Sequence, residues 1–201
     1  MATATRTPAI DSGVVPYRLN IRQFERMIDA GIFPDGVRVE LLGGVLVEKM
    51  TKNDPHDFSV GRLGKLLRTI LPGDWIVREE KSVTLGRSWR PEPDLAVIRG
   101  PDDLYRQRSP QSRDIGLVVE VADVSYAKDR GAKWRGYAEA RVRVYWIVHL
   151  AKRQVEVYSD PKGRGVTANY RVGASYDADA EVPVVIVGAE VGRIPVRDIL
   201  P

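Results

Sequence analysis

Four short segments decide the fold: PDLAVI (93–98), IGLVVEVA (115–122), DRGAKWRGYA (129–138) and RVYWIV (143–148). The second is almost wholly apolar and reads as a strand covered on both faces. Because side chains alternate along a strand, Ile115, Leu117, Val119 and Val121 share one face, and Gly116, Val118, Glu120 and Ala122 share the other. A glutamate inside such a run is costly to bury without a partner. Glu120 therefore reads as half of a salt bridge to one of the chain's many arginines, or as a metal ligand.

The first segment is a second short apolar strand that opens on Asp94. Alone, Asp94 is a turn or cap residue. Beside Glu120 it makes a pair of carboxylates on neighbouring strands. A hard divalent cation such as Mg²⁺ takes one or two carboxylates and completes its shell with water and substrate phosphate. A backbone carbonyl near Val121 would complete the protein's share. Downstream, Asp129 is placed to start a helix on which Lys133, Tyr137 and Arg141 fall at intervals of four, on one face. An isolated helix lysine is ordinarily solvated; the position of Lys133 just after the Glu120 strand favours a role at the carboxylates.

In this order and spacing, the segments PDLAVI, LVVEV, DRGAKWRGYA and VYWIV resemble the Uma family of "putative restriction endonucleases", within the PD-(D/E)XK nuclease superfamily. The resemblance runs from about Tyr17 to Tyr158 and takes in VELLGGVLVE (39–48) and His56. It implies an α/β (α+β) fold, a restriction-endonuclease-like mixed central sheet flanked by helices, with an added N-terminal helix and β-hairpin. It also implies Mg²⁺ (with Mn²⁺ as substitute) on Asp94, Glu120 and the Val121 carbonyl, with Lys133 completing the catalytic set. Glu40 matches an upstream acid that adds a ligand through water, and His56 and Tyr137 are further candidates. In the superfamily the lysine lies two residues after the glutamate. That position is Ala122 here, and Lys133 matches a lysine displaced onto the following helix. Asp123–Tyr126 replaces a Ser-Pro-Ser-Thr-like turn, and His149 replaces an aspartate.

The chain has 201 residues, no cysteine and two histidines. That length suits one domain over 16–201 behind a flexible tail over 1–15. A disulfide framework and a cysteine-based zinc site are excluded, and a histidine-rich metal site is disfavoured. No run is long enough to span a bilayer, and the N-terminus lacks the apolar stretch of a secretory signal, so a cytoplasmic location is expected. A net charge of +4, from 31 Lys+Arg against 27 Asp+Glu, is compatible with a nucleic-acid partner.

Taken in order, Asn20 caps a helix over Ile21–Ala30, with Gln23 at the capping-box position and Gly31 ending it. Gly43-Gly44 joins strands 37–42 and 45–47 into a hairpin. There Glu40 faces Arg38 as an ion pair or faces the metal site, and Glu48 and Lys49 are expected in solvent. Asp54-Pro55 starts a second helix, with Asp54 as cap, and His56 is expected to bond locally. Residues 75–77 and 82–85 read as strands, 100–113 as a polar loop and 160–165 as a glycine-rich turn. Strands over 145–150 and 154–158 form another hairpin, and 170–172, 182–187 and 193–199 read as short strands and a terminal turn. Six basic residues lie between Lys128 and Arg143. Of these, Lys128, Arg130, Arg135 and Arg141 are the candidate contacts to DNA phosphates, with Trp134 and Tyr137 interleaved.

The leading expectation is a Mg²⁺-dependent endonuclease hydrolysing DNA phosphodiester bonds. Cutting both strands of a duplex takes two active sites or two encounters, so a homodimer is expected. The alternative is a DNA-binding or protein-interaction module on a nuclease fold with little or no catalysis. A plain structural ion-pair cluster is the third reading, and it expects loss of Glu120 to lower stability.

Overall fold

A computed structural model describes residues 14–49 and 53–201. The expected tail over 1–15 lies outside the described residues as far as residue 13. Helix α1 (Ile21–Asp29) begins as its sequence predicts: the Asn20 side chain accepts from the Gln23 amide, and the Gln23 side chain accepts from the Asn20 amide. Strands β1 (Val39–Leu42) and β2 (Val45–Glu48) form the expected hairpin, and both turn glycines have positive φ. Gly44 is needed twice over, because an added Cβ would lie 2.8 Å from that of Arg18.

Helix α2 (Asp54–Ile70) carries Pro55 in its first turn, but its cap is Asn53, whose side chain accepts from the His56 amide. Asp54 lies inside the helix, where a carboxylate favours the helix dipole rather than capping it. The main sheet has six strands: β3 (Trp75–Glu79), β4 (Leu95–Arg99), β5 (Ile115–Ala122), β6 (Val144–His149), β7 (Gln154–Lys162) and β8 (Asn169–Asp177), in that spatial order. Neighbours are antiparallel except β5 and β6, which are parallel. The class is therefore mixed α+β, with a mostly antiparallel sheet. Residues 82–85 form no strand; Thr84 and Leu85 make only isolated bridges to Gln111 and Trp89. The expected turn over 160–165 begins later, because β7 runs on to Lys162.

Parallel strands need a crossover. Here it is a helix in three pieces: α-helical Tyr126–Lys128, π-helical Asp129–Lys133 and α-helical Trp134–Glu139. The helix thus starts earlier than Asp129. It also ends before Arg141, which has φ +63°. Strand β5 divides the core in two, but the expected faces hold only from Leu117 onward: beside a register shift at Val97–Ile98, Ile115 packs on the side of Val118, and Gly116 lies against Trp75 and Ile186 on the other. Leu117, Val119 and Val121 pack under α2 and the hairpin of β9 (Glu181–Ile186) and β10 (Ala189–Pro195). Val118 and Ala122 pack with Tyr137, Ala138, Tyr145 and Ile147 on the crossover side. Each large aliphatic side chain buried this way contributes about 1.5–3 kcal/mol, which lets β5 carry one buried carboxylate. No helix among the described residues is long and apolar enough to cross a membrane.

Candidate active site

Leu95 on β4 pairs with Val119 on β5, so Asp94, just before β4, lies beside Glu120 and Val121. Both carboxylates are buried. Asp94 Oδ2 accepts from the Val121 amide at 2.9 Å and lies 3.1 Å from His56 Nε2. Oδ2 is thereby saturated. Oδ1 accepts no hydrogen bond, although it is buried; the Lys49 ammonium lies 3.2 Å away.

Glu120 Oε1 accepts from Lys133 Nζ at 2.9 Å and from the Tyr137 hydroxyl at 2.8 Å. Lys133 Nζ also lies 2.9 Å from Glu40 Oε1, which accepts from the Glu92 amide. Lys128 Nζ lies 3.4 Å from Glu40 Oε2. Asp129, buried one turn before Lys133, is held by the Ser125 hydroxyl. Lys133 ends the π-helical turn and is 1% exposed, and Tyr137, four residues on, reaches the same Glu120 oxygen. A pocket opens over the cluster, lined by exposed Asn53, half-buried Asp123 and Ser125, and buried His56, Asp94, Glu120 and Lys133.

The electrostatics follow from crowding. Burial would raise the Asp94 pKa, but the His56 hydrogen bond and the charges of Lys49, His56 and Lys133 outweigh it and hold the carboxyl well below the usual range. Glu120 goes the other way. Its burial, together with the nearby Asp94, Asp129 and Glu40, overcomes Lys133 and pushes it up to about 8. Burial alone would strip the proton from Lys133, yet Glu120, Glu40, Asp129 and Asp94 hold it on, well above the ordinary lysine range. Lys133 is a permanent cation and a donor.

The cluster unites Asp94, Glu120, Lys133, Glu40, His56 and Tyr137. Glu40 does not pair with Arg38; Arg38 turns to Glu80 and Glu92 instead. His56 reaches the site as well as bonding locally to Asp57. The basic residues are less unified. Lys128 lines the pocket, whereas Arg130 lies over the rings of Trp134 and Tyr158, 4.8 Å from each centroid. Arg141 is on no helix face shared with Lys133; its guanidinium donates to the carbonyls of Pro161 and Gly163. Arg135 is exposed.

Lys49, expected in solvent, is instead buried against Asp94 and the Glu92 carbonyl. The hairpin register contained the signal. Continued outward, the pairing of Val39 with Glu48 sets Lys49 opposite Arg38, and its amide donates to the Arg38 carbonyl. Lys49 thus follows Val47 on the face that carries Glu40.

The donor set fits a hard cation. Asp94 Oδ1 is buried without a hydrogen bond, Glu120 lies beside it, the backbone at Val121 borders the same pocket, and ammonium groups already lie against both carboxylates. Among the described residues, no three Asp, Glu or His side chains form a ready cage.

A mixed sheet with a carboxylate entering β4, a second inside β5 and a lysine on the crossover defines a nuclease-like α+β fold. It superposes, with a TM-score of 0.69, on the crystal structure of a "putative nuclease belonging to DUF820" from Anabaena variabilis, covering 90% of this chain and 97% of that one at 14% identity. Residues 21–187 match the Uma2 family, described as "Putative restriction endonuclease", and the chain belongs to that family. No curated protein matches the sequence.

Proposed function

We propose that the protein is a metal-dependent endonuclease that hydrolyses DNA phosphodiester bonds. The family description and the description of the structural relative support nuclease function. The observation that carries the reading is the convergence on one pocket of Asp94, Glu120 and Lys133 from three separate elements. Asp94, Glu120 and the Val121 carbonyl would hold Mg²⁺, with Mn²⁺ as substitute. The ion would polarise a phosphate oxygen and lower the pKa of a bound water. His56 and the Val121 amide fix the Asp94 carboxyl by its Oδ2. Tyr137 orients Glu120 through Oε1. Lys133, always charged, donates to the phosphate as negative charge develops there. Glu40 steers Lys133 from the other side, and Lys128 lies at the pocket for the flanking phosphate. A homodimer would supply the two sites that a double-strand cut needs, and a cytoplasmic location fits the reading.

The test is Mg²⁺- and Mn²⁺-dependent cleavage of supercoiled, linear and single-stranded DNA by the wild type, Glu120→Gln and Lys133→Ala. Cleavage lost in both folded variants supports the assignment; equal cleavage in all three overturns it. Salt-sensitive DNA binding without cleavage would select the other reading, a binding module. That reading draws on one observation: Lys133 and Lys49 already lie against the two carboxyl groups an ion would need.

A further inference from the structure

We propose that Lys49 is a displaceable counter-ion: it neutralises Asp94 while the site lacks a metal and transfers its charge to a substrate phosphate once a divalent ion takes Asp94 Oδ1. The inference rests on the nuclease reading and adds to it a residue outside the Asp94–Glu120–Lys133 set. Three observations lead to it. First, the carboxyl is held asymmetrically. His56 and the Val121 amide fix Oδ2, so Oδ1 is the free coordination point, and it is there that Lys49 Nζ lies, at 3.2 Å. Second, Lys49 makes no hydrogen bond to that oxygen. Its hydrogen bonds go to the Glu92 carbonyl at 2.8 Å and the Glu92 carboxylate at 3.5 Å. The ammonium is therefore anchored beside Asp94 and attracted to it by charge alone. Third, Lys49 borders the pocket although its side chain is only 7% exposed, and it sits at the end of β2 on a flexible four-carbon stem.

A divalent ion on Oδ1 would set two positive charges side by side in a site of low dielectric, where like charges repel strongly. Glu92 remains as a carboxylate partner for Lys49, but at 3.5 Å and shared with Arg38. The remaining direction for the ammonium is the pocket, where a phosphate brought in with the ion would meet it. Lys133 is differently placed. It bridges Glu120 and Glu40 at 2.9 Å each, so an ion arriving at Glu120 still leaves it a close carboxylate partner, whereas the Glu92 carboxylate lies 3.5 Å from Lys49.

The consequence is opposite in sign to that of a structural residue. Lys49→Met removes a competitor for Asp94, so Mg²⁺ binding to the protein alone should tighten by about tenfold, the effect of one neighbouring like charge. The same variant should bind DNA more weakly in Ca²⁺, with a salt slope shallower by about one phosphate contact. Titration calorimetry with Mg²⁺ alone, on wild type, Lys49→Met and Lys49→Arg, reads the first effect; fluorescence anisotropy with a DNA duplex reads the second. Lys49→Arg keeps the charge and should keep wild-type metal affinity. If Lys49→Met cannot be folded, Lys49→Gln carries the same expectation. Tighter metal binding with weaker DNA binding supports the exchange. Unchanged or weaker metal binding in a folded Lys49→Met overturns it and leaves the nuclease reading intact if the wild type binds Mg²⁺ and cleaves. A wild type that binds no Mg²⁺ overturns both.

Discussion

Glu120 couples stability to pH through its environment. Its carboxyl is pushed up to about 8 from an ordinary value of 4.5 by burial among Asp94, Asp129 and Glu40. Between those two values the folded chain binds a proton that the unfolded chain has released. By linkage, stability is greatest below about 4.5 and is lost as the pH rises through about 8. Asp94, held low, works the other way, contributing above its unfolded value of 3.8 and failing as acid reaches its folded one. Glu120→Gln keeps an acceptor for Tyr137 and Lys133 but cannot ionise. Its melting temperature without metal should therefore fall less than that of the wild type between pH 5 and pH 8, as thermal melts across that range would read; equal slopes would refute this account of Glu120. Lys133→Met is a harsher change. It leaves Glu120 and Glu40 buried without their shared cation, and breaking such a pair costs about 3–5 kcal/mol, measurable as a lowered midpoint in urea.

At the scale of elements, the crossover helix is where small changes should have disproportionate effects. Its π-helical turn holds one residue more than an α-turn would. Deleting Ala132 should therefore restore an α-turn and rotate the start of the helix by about 100° relative to its end. Lys133 keeps its spacing to Tyr137, so the change falls on the start of the helix: the Lys128–Glu40 ion pair and the bond from the Tyr145 hydroxyl to the Asp129 carbonyl would be lost while the sheet remains, and circular dichroism with a cleavage assay would separate the two. Gly136 is the point of closest approach beneath the helix. A Cβ there would fall 2.4 Å from the Trp89 ring. Alanine would gain about 1 kcal/mol in helix propensity against about 1–3 kcal/mol of overpacking, so Gly136→Ala should be net destabilising in denaturant unfolding. Much of this was legible beforehand: the all-apolar β5 with its single carboxylate, the faces of that strand from Leu117 onward, Asn20 and the Gly43-Gly44 turn all act through local rules, whereas the register shift that turns Ile115 and Gly116 to the opposite faces depends on pairing with β4. Asn53 as cap, the loss of helix before Arg141 and the missing strand at 82–85 were not legible, because tertiary contacts decide them. The π-turn was also hidden, since the same residues at α spacing already put Lys133 and Tyr137 on one stripe. Lys49 is the exception; hairpin register alone would have placed it beside Glu40.

For the whole molecule, the distribution of basic charge matters more than its sum. Arg130 is spent on aromatic rings and Arg141 on carbonyls at the end of β7, so the density of basic residues after Lys128 does not form one face. Arg135 is exposed and has no ion pair or hydrogen bond among the described residues. DNA binding should accordingly lose about one unit of salt slope in Arg135→Ala. In Arg141→Ala the loss should appear as stability instead, because its bonds hold the chain at residues 161–163. Binding isotherms at several salt concentrations, paired with melts, would separate these effects. The one parallel junction of the sheet carries a last consequence. Its connection is the segment that brings Lys133, so the linkage that makes the topology also divides the chemistry between two stretches of backbone. A single protease nick after Val124, which is 68% exposed, would leave Asp94 and Glu120 on one polypeptide and Lys133 on the other. Cleavage by such a nicked protein would survive only while the halves stay associated, and after their separation it would return with second-order kinetics, as fragment complementation.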